Sequence, residues 1–373
     1  MKVDASAISD LIEAAMAADY TAVRRIGNRL ARQFAEDGQA DAARTIQAIL
    51  RKRGVPLQAS GYAETLPRDV NSRLPLVEEG AWPTTPLFFE ETVSNGLEQF
   101  LEDARHIGLL AEKGVSSRLG LLLFGPPGTG KSMLAGYVAA RLGRPFYIAR
   151  LDSLISSRLG ETSKNIREVF NFIPTREAVL FLDEMDAVAK LRDDRHELGE
   201  LKRVVNTVLQ GLDSLTDDII VIGATNHPHL LDPAIWRRFP YKLDMGLPGD
   251  EVRAAMWRHY LFEGDTTSTL DIKLLAAMSA ELSGADIQNL SLATRRRAIL
   301  SGSAPNLANL ILAITAKGKG SRQLPDGREL TSEERRAIAR RLAGVNAQVN
   351  DIARIVGVSR QMVHRYLKDG GDG

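Results

Sequence analysis

The run Gly125-Pro126-Pro127-Gly128-Thr129-Gly130-Lys131-Ser132 constrains this chain more than any other stretch, because it carries the spacing G-x-x-x-x-G-K-S. Ahead of it, Leu119-Gly120-Leu121-Leu122-Leu123-Phe124 is short, apolar and bounded by glycine and proline, as a buried parallel strand should be. Behind it, Met133 to Leu142 is rich in helix formers and free of proline. Strand, glycine-rich loop and helix thus come in the order a phosphate-binding loop needs. Gly125, Gly128 and Gly130 let backbone N–H groups curl around phosphate oxygens, since no Cβ blocks the approach. The helix N-terminus, at Lys131-Ser132-Met133, adds partial positive charge. In such a loop Lys131 reaches the β and γ phosphates and the Ser132 hydroxyl ligates Mg²⁺.

Composition narrows the classes that remain. The 373 residues carry 48 basic and 47 acidic side chains, so no global field points to nucleic acid or membrane, and any basic patch is local. The absence of cysteine excludes disulfides and thiolate metal sites and fits a reducing compartment. Met1-Lys2-Val3-Asp4 does not open the apolar core of a signal peptide, and no apolar run approaches the ~18 residues of a spanning helix. These features predict a soluble, cytoplasmic protein without a membrane partner.

Along the chain, residues 1–54 read as helical. Val23, Ile26, Leu30 and Phe34 form one stripe and Ala42, Ala43, Ile46, Ile49 and Leu50 a second. With Ile8 to Met16 they suggest a three-helix bundle, which either binds a partner or caps its own chain. Residues 55–86 carry seven prolines and glycines with little periodicity and read as a linker. Leu87 to Val93 then restarts apolar content ahead of a helix and is a candidate lining for an adenine pocket. From 87 to 248 strands alternate with helices: Leu119–Phe124, Pro145–Ala149, Ala178–Leu182, Ile219–Ala224 and Tyr241–Met245 are the candidate strands. The fold class is therefore α/β, a mainly parallel sheet with flanking helices. Residues 249–316 read as a helical subdomain, 317–334 as a linker and 335–373 as a last small helical unit.

Ala178-Val179-Leu180-Phe181-Leu182-Asp183-Glu184 ends an apolar strand in two carboxylates. Beside a phosphate loop, Asp183 can hold the magnesium shell and Glu184 can polarise the attacking water as a general base. Gly160-Glu161-Thr162-Ser163-Lys164-Asn165-Ile166-Arg167, this doublet, Ala224-Thr225-Asn226-His227-Pro228 and Leu231-Asp232-Pro233-Ala234-Ile235-Trp236-Arg237-Arg238-Phe239 together resemble the AAA ATPases. The likeness is to the family proper, with katanin, spastin and the ESCRT-disassembly ATPase, and Ser283-Gly284-Ala285-Asp286-Ile287 resembles the opening of that family's lid helix. It covers residues 87 to 316.

The resemblance implies ATP and Mg²⁺ as ligands and a ring, usually a homo-hexamer. It implies that Asn226 positions water against the γ-phosphate and that Arg237 and Arg238 are arginine fingers reaching a neighbouring copy. Gly284 and Ala285 stand where other members of the wider superfamily place a sensing arginine. Two departures stand out. The pore loop that usually carries an aromatic reads Ser157-Arg158-Leu159-Gly160, so any grip on a threaded polypeptide falls to Leu159, between Arg158 and Gly160. Trp236 replaces leucine or arginine, as interface or as core. The charged run Lys190 to His196 either faces the same pore or is a solvated loop.

Val349 to Tyr366 resembles a helix-turn-helix. Ala353 allows a close crossing, Gly357 the left-handed turn, and Ser359 can cap the second helix. Ile352, Val356, Val358, Val363 and Tyr366 fall on the buried side, which leaves Arg360, Gln361, His364 and Arg365 facing outward toward a major groove. Between Glu329 and Asp369 eight basic residues stand against five acidic ones. The unit either reads duplex DNA or makes protein contacts. Two functions are expected: a ring ATPase that remodels a protein substrate or partner, tethered to or regulated by DNA, or a DNA-binding regulator or recruiter in which ATP controls assembly.

Overall fold

The computed structural model describes residues 26–27, 29–31, 33–34, 42–44, 46, 66–69, 73–115, 118–154, 159–173, 178–187, 198–216, 219–265, 268–315 and 329–368. The chain divides into two compact units, Met1–Pro67 and Arg68–Gly373. In the first, the described residues around Ile26–Phe34 and Ala42–Ile46 are helical, and Ile26, Leu30, Ala31 and Ala43 are buried. That is the inward stripe that three- and four-residue spacing produces. Ile8 to Met16, Val23, Ile49 and Leu50 lie outside the described residues.

The second unit is built on a six-stranded sheet in the order β1-β3-β4-β5-β2-β6. The strands are β1 (Glu78–Glu79), β2 (Gly120–Phe124), β3 (Phe146–Arg150), β4 (Val179–Asp183), β5 (Ile220–Thr225) and β6 (Tyr241–Asp244). All neighbouring pairs are parallel except β1, which runs antiparallel to β3 with Glu78 opposite Ile148. The five parallel strands are those the apolar runs predict. The short edge strand is not, because it sits in the proline-rich stretch read as linker. There Leu76 and Val77 are buried, so part of residues 55–86 is fold rather than spacer.

Continuous apolar strands need cover on both faces. The helices α1 (Glu91–Arg105), which leads into α2 (Ile107–Glu112), and α3 (Lys131–Leu142) cover one face. Leu97, Phe100, Leu101, Leu134 and Val138 pack there on Leu121, Leu123, Phe181 and Ile222. The amphipathic helices α4 (Leu159–Phe172) and α5 (Leu198–Ser214) pack on one another and bury Ile166, Val169, Phe170, Val204 and Val208.

The lid follows as α6 (Asp250–Tyr260), α7 (Thr269–Met278), α8 (Gly284–Ser301) and α9 (Leu307–Thr315). Trp257 is fully buried, and its indole N–H donates to Ser279 Oγ at 3.0 Å, which satisfies the one polar atom of the ring. Arg253 is also buried; it donates to Ala276 O at 2.8 Å and pairs with Pro248 O and Asp250.

The chain ends in α10 (Ser332–Gly344), α11 (Val349–Val356) and α12 (Arg360–Lys368). Thr331 and Glu334 form a capping box that starts α10. Gly357, at φ 71°, turns the chain after α11, and Ser359 Oγ accepts from Met362 N at 3.3 Å to start α12. These helices, read from the sequence as a separate unit, do not have a core of their own. Ile338, Leu342, Ile352, Val356, Val363 and Tyr366 belong to the same buried cluster as Leu275, Leu310, Ile311 and Trp257 of the lid. Ion pairing of Arg354 on α11 with Asp271 on α7 crosses the same boundary, with Nη1 3.3 Å from Oδ2.

Truncating a side chain in this shared core should unsettle both parts together. Leu342→Ala is expected to lower stability by about 2–5 kcal/mol. In a Trp82→Phe, Trp236→Phe background, where Trp257 alone reports from the lid, urea denaturation followed by tryptophan fluorescence and by far-ultraviolet circular dichroism should give coincident shifts. A lid signal that stays unmoved would show two independent cores.

Candidate nucleotide site

β2 lies inside the sheet, with β5 on one side and β6 on the other, so the loop after Phe124 opens between two parallel neighbours. Residues Gly125 to Gly130 form that loop and Lys131 begins α3. Pro126 and Pro127 are exposed, Thr129 Oγ1 donates to Pro126 O at 3.0 Å, and Met133 is half-buried in the first turn of α3. Lys131 is buried, and its ammonium donates to Gly125 O and Pro126 O, each at 2.8 Å. Burial lowers its pKa from the ordinary value, against which Asp183 and Asp186 act to hold the charge.

Ser132 Oγ lies 3.4 Å from Asp183 Oδ2, at the end of β4. A hydroxyl and a carboxylate converging in this way supply the hard oxygen donors that a magnesium ion takes. Glu184 follows at φ 54°, a left-handed conformation that costs a residue with a Cβ of order 1–3 kcal/mol and clusters at functional sites. Its N–H donates to Asp183 Oδ1 at 2.9 Å, and its carboxylate lies 3.6 Å from Arg150 Nη2. Arg150 is brought there by the parallel register, which sets it opposite Asp183. Desolvation, helped by the neighbouring Asp152, raises the Glu184 pKa, with Arg150 opposing.

Asn226 follows the end of β5. Its backbone N–H donates at 3.2 Å to Asp186 Oδ1, which also accepts from Thr225 Oγ1 at 3.0 Å. Asp186 is almost fully buried. Sequence reasoning passed over Arg150, Asp152 and Asp186. The third acid after the Asp183-Glu184 pair was visible as spacing, but only burial against β5 gives it a task.

The lid reaches this loop directly. Ser283 and Asp286 cap α8 reciprocally, and Ala285 N donates to Gly128 O at 3.0 Å. Gly128 sits at φ 76°, and a Cβ there would come within 2.7 Å of Ser283 Oγ, so glycine is required. Gly284 and Ala285 therefore lie on the phosphate loop itself. Phe88 packs against His259 and Tyr260, at 5.6 and 5.8 Å, and Glu90 Oε1 accepts from Gly249 N at 2.6 Å. The 87–93 segment thus bridges sheet and lid.

Arg237 and Arg238 differ although adjacent. Arg238 forks onto Asp213, with Nη2 3.0 Å from Oδ2 and Nε 3.2 Å from Oδ1. Asp213 also takes Arg118 at 2.9 Å, and these partners, Arg238 first, hold its carboxyl below the usual carboxylate range. Arg237 is exposed, and its guanidinium has no partner among the described residues. Trp236 stacks on Phe124 at 5.2 Å with Lys242 Nζ 5.7 Å from its ring centre, a packing role within the chain.

Arg158 and the Lys190–His196 run lie outside the described residues. Leu159 and Gly160 begin α4. On α12, Arg360, Gln361, His364 and Arg365 are exposed, opposite the buried Val363 and Tyr366. Arg340 Nε donates to Tyr366 O at 3.2 Å, and the Arg336 guanidinium lies 5.8 Å from the Tyr366 ring.

Asp186→Ala should lower stability by about 1–3 kcal/mol, the cost of leaving a buried hydroxyl and an amide N–H without an acceptor. Denaturant titration of Asp186→Ala, Thr225→Val and the double variant checks this. Strict additivity in the cycle would show that the two side chains do not interact.

Residues 121–247 match the model for the ATPase family associated with various cellular activities (AAA). Over 161 residues, 43% of this chain and 48% of the relative, the chain is 44% identical to an uncharacterized AAA family ATPase of Sinorhizobium fredii. It is 30% identical over 253 residues to a proteasome-activating nucleotidase of Saccharolobus islandicus, covering 63% of this chain and 64% of that one. It is 36% identical over 175 residues to the ATP-dependent zinc metalloprotease FtsH 3 of Sphaerobacter thermophilus, covering 46% and 36%. The chain thus spans less than two thirds of each of these relatives. The phosphate loop, the carboxylates that end β4 and the polar end of β5 all fall inside the matched residues, and this chain carries an ATPase domain of the AAA family.

Proposed function

We propose that the protein hydrolyses Mg-ATP as a ring of identical copies, a hexamer, and uses the cycle to remodel a protein substrate or partner. The observation that carries this reading is the convergence of Lys131, Ser132, Asp183, Glu184 and Asn226 at the ends of three neighbouring strands. The loop Gly125 to Met133 would hold the phosphates. Ser132 and Asp183 would hold a magnesium ion, which neutralises phosphate charge when bound. Glu184, ionised, takes a proton from the attacking water, while Asn226 holds that water in line. Arg237, whose guanidinium has no partner among the described residues, extends to the γ-phosphate of a neighbouring copy. Arg238, gripped by Asp213, braces the finger segment. The exposed face of α12, with Arg360, Gln361, His364 and Arg365, tethers the ring to duplex DNA, and a ring of six weak contacts gains by avidity. Residues 1–54 would dock the protein substrate. A proteasome-activating nucleotidase among the relatives supports the remodelling reading.

One observation favours a second reading. The pore segment has Leu159 where an aromatic would grip polypeptide. In a DNA-binding regulator or recruiter, ATP would control assembly on DNA and no threading would be needed. Steady-state ATP turnover against protein concentration, with and without duplex DNA at low salt, tests both. Turnover per chain that rises with concentration supports self-assembly, and a constant value counts against the ring. Stimulation by DNA supports the tether, and indifference to DNA removes it.

Glu184→Gln should retain ATP binding and lose two to four orders of magnitude in turnover, roughly what removing a general base costs. Near-normal turnover would sink the assignment. The pH profile adds a sign. A base with a raised pKa must still be ionised, so turnover falls as pH drops through a value above the ordinary 4.5. Asp152→Asn removes a raising influence and should move this acid limb to lower pH, whereas Arg150→Ala should move it higher. Arg237→Ala should also cut turnover, and mixing it with Lys131→Ala chains should restore part, because intact sites then form between unlike copies. Arg238→Ala, by contrast, should show no such restoration if its task lies within its own chain.

A further inference from the structure

The C-terminal helices end where the lid's core begins, and this gives the exposed face of α12 a consequence beyond tethering. α10, α11 and α12 bury Leu342, Ile352, Val356, Val363 and Tyr366 in one cluster with Leu275, Leu310, Ile311 and Trp257 of the lid. Close-packed interiors transmit displacement because they do not deform continuously. The Arg354–Asp271 ion pair adds a second tie between α11 and α7, and Asp271 is mostly shielded from solvent. At its other end the lid touches the phosphate loop, where Ala285 N donates to Gly128 O. Two and three positions before Gly128, Pro126 O and Gly125 O accept from the Lys131 ammonium. Phosphate oxygens compete for that ammonium. Drawing Lys131 away would release two carbonyls of the same loop whose Gly128 O accepts from Ala285 N.

We infer that lid and C-terminal helices are one rigid body whose position is set at the phosphate loop, so that nucleotide and DNA bind with a coupling free energy. The inference rests on the DNA reading of α12 given above. It makes the C-terminal unit a nucleotide-controlled DNA contact instead of a passive tether, and it requires that DNA change ATP affinity by the same factor as ATP changes DNA affinity. Each ligand acts only through its preference for one position of the body.

The absence of native cysteine allows a clean test on the full chain. Asp271→Cys with Arg354→Cys, joined by a short bismaleimide, locks α11 to α7; neither residue lies at the nucleotide site or on the α12 face. If the two parts move as one, the stapled protein keeps its ATP turnover within about twofold of the unstapled double variant. A tenfold or greater loss would show that the C-terminal helices must leave the lid during the cycle, and the rigid-body inference falls. In parallel, the affinity for a fluorescent 30-base-pair duplex is measured by anisotropy, with ADP and with ATP on Glu184→Gln chains, stapled and unstapled. The expected result is a difference of about fivefold or more between nucleotide states, the low end of typical coupling, that persists in the stapled protein. Equal affinities in both states overturn the linkage while leaving the DNA reading intact. No binding in either state removes the DNA reading, and the linkage with it, while the staple still decides whether the body is rigid.

Discussion

The register of the parallel sheet sets Phe124 of β2 opposite Thr225 of β5 and Leu182 of β4 opposite Gly223 of β5. Parallel strands end on the same edge, so the residues that follow them share one rim. Here these are the phosphate loop after β2, the Asp183-Glu184 pair at the end of β4 and Asn226 after β5. Slipping one strand by a residue would turn Asp183 into the sheet and carry Arg150 away from Glu184. Burial of the central strands opposes that slip, because β2, β4 and β5 are buried along nearly their whole length and a slipped strand would lose its match to the helices packed on it. Packing far from the site therefore holds the chemistry in place.

The rim concentrates charge in a partly dry setting. The Lys131 ammonium is buried near Asp183 and Asp186, and desolvation outweighs their attraction in setting its pKa. Asp186 also anchors the end of β5, accepting from Thr225 Oγ1 and the Asn226 N–H. Glu184 stands in a strained backbone conformation between an attracting Arg150 and a repelling Asp152. A carboxylate so balanced responds to either neighbour.

Much of the fold was legible in the chain. The apolar runs located the five parallel strands, because each is short, continuous and punctuated by glycine or proline. The motif spacing pointed to the phosphate loop and the carboxylate pair, and the family resemblance pointed to a helix opening at Ser283. Arg238 shows why adjacency in sequence could not assign a role: Asp213, which engages it, lies twenty-five positions earlier. The edge strand β1 escaped because two residues carry no period.

The sequence by itself determined the chemistry on offer: a lysine and hydroxyl at a glycine loop, two carboxylates ending an apolar strand, and outward basic residues on a last helix. These are local properties, fixed by residue type and by spacing within one element. Tertiary structure decided which of these groups meet. It joined the C-terminal helices to the lid in one core, tied Arg238 to Asp213 while leaving the neighbouring Arg237 exposed, and gave Asp186 to the end of β5. The physical reason is that burial and ion pairing join residues tens of positions apart, and no periodicity along the chain records such distances.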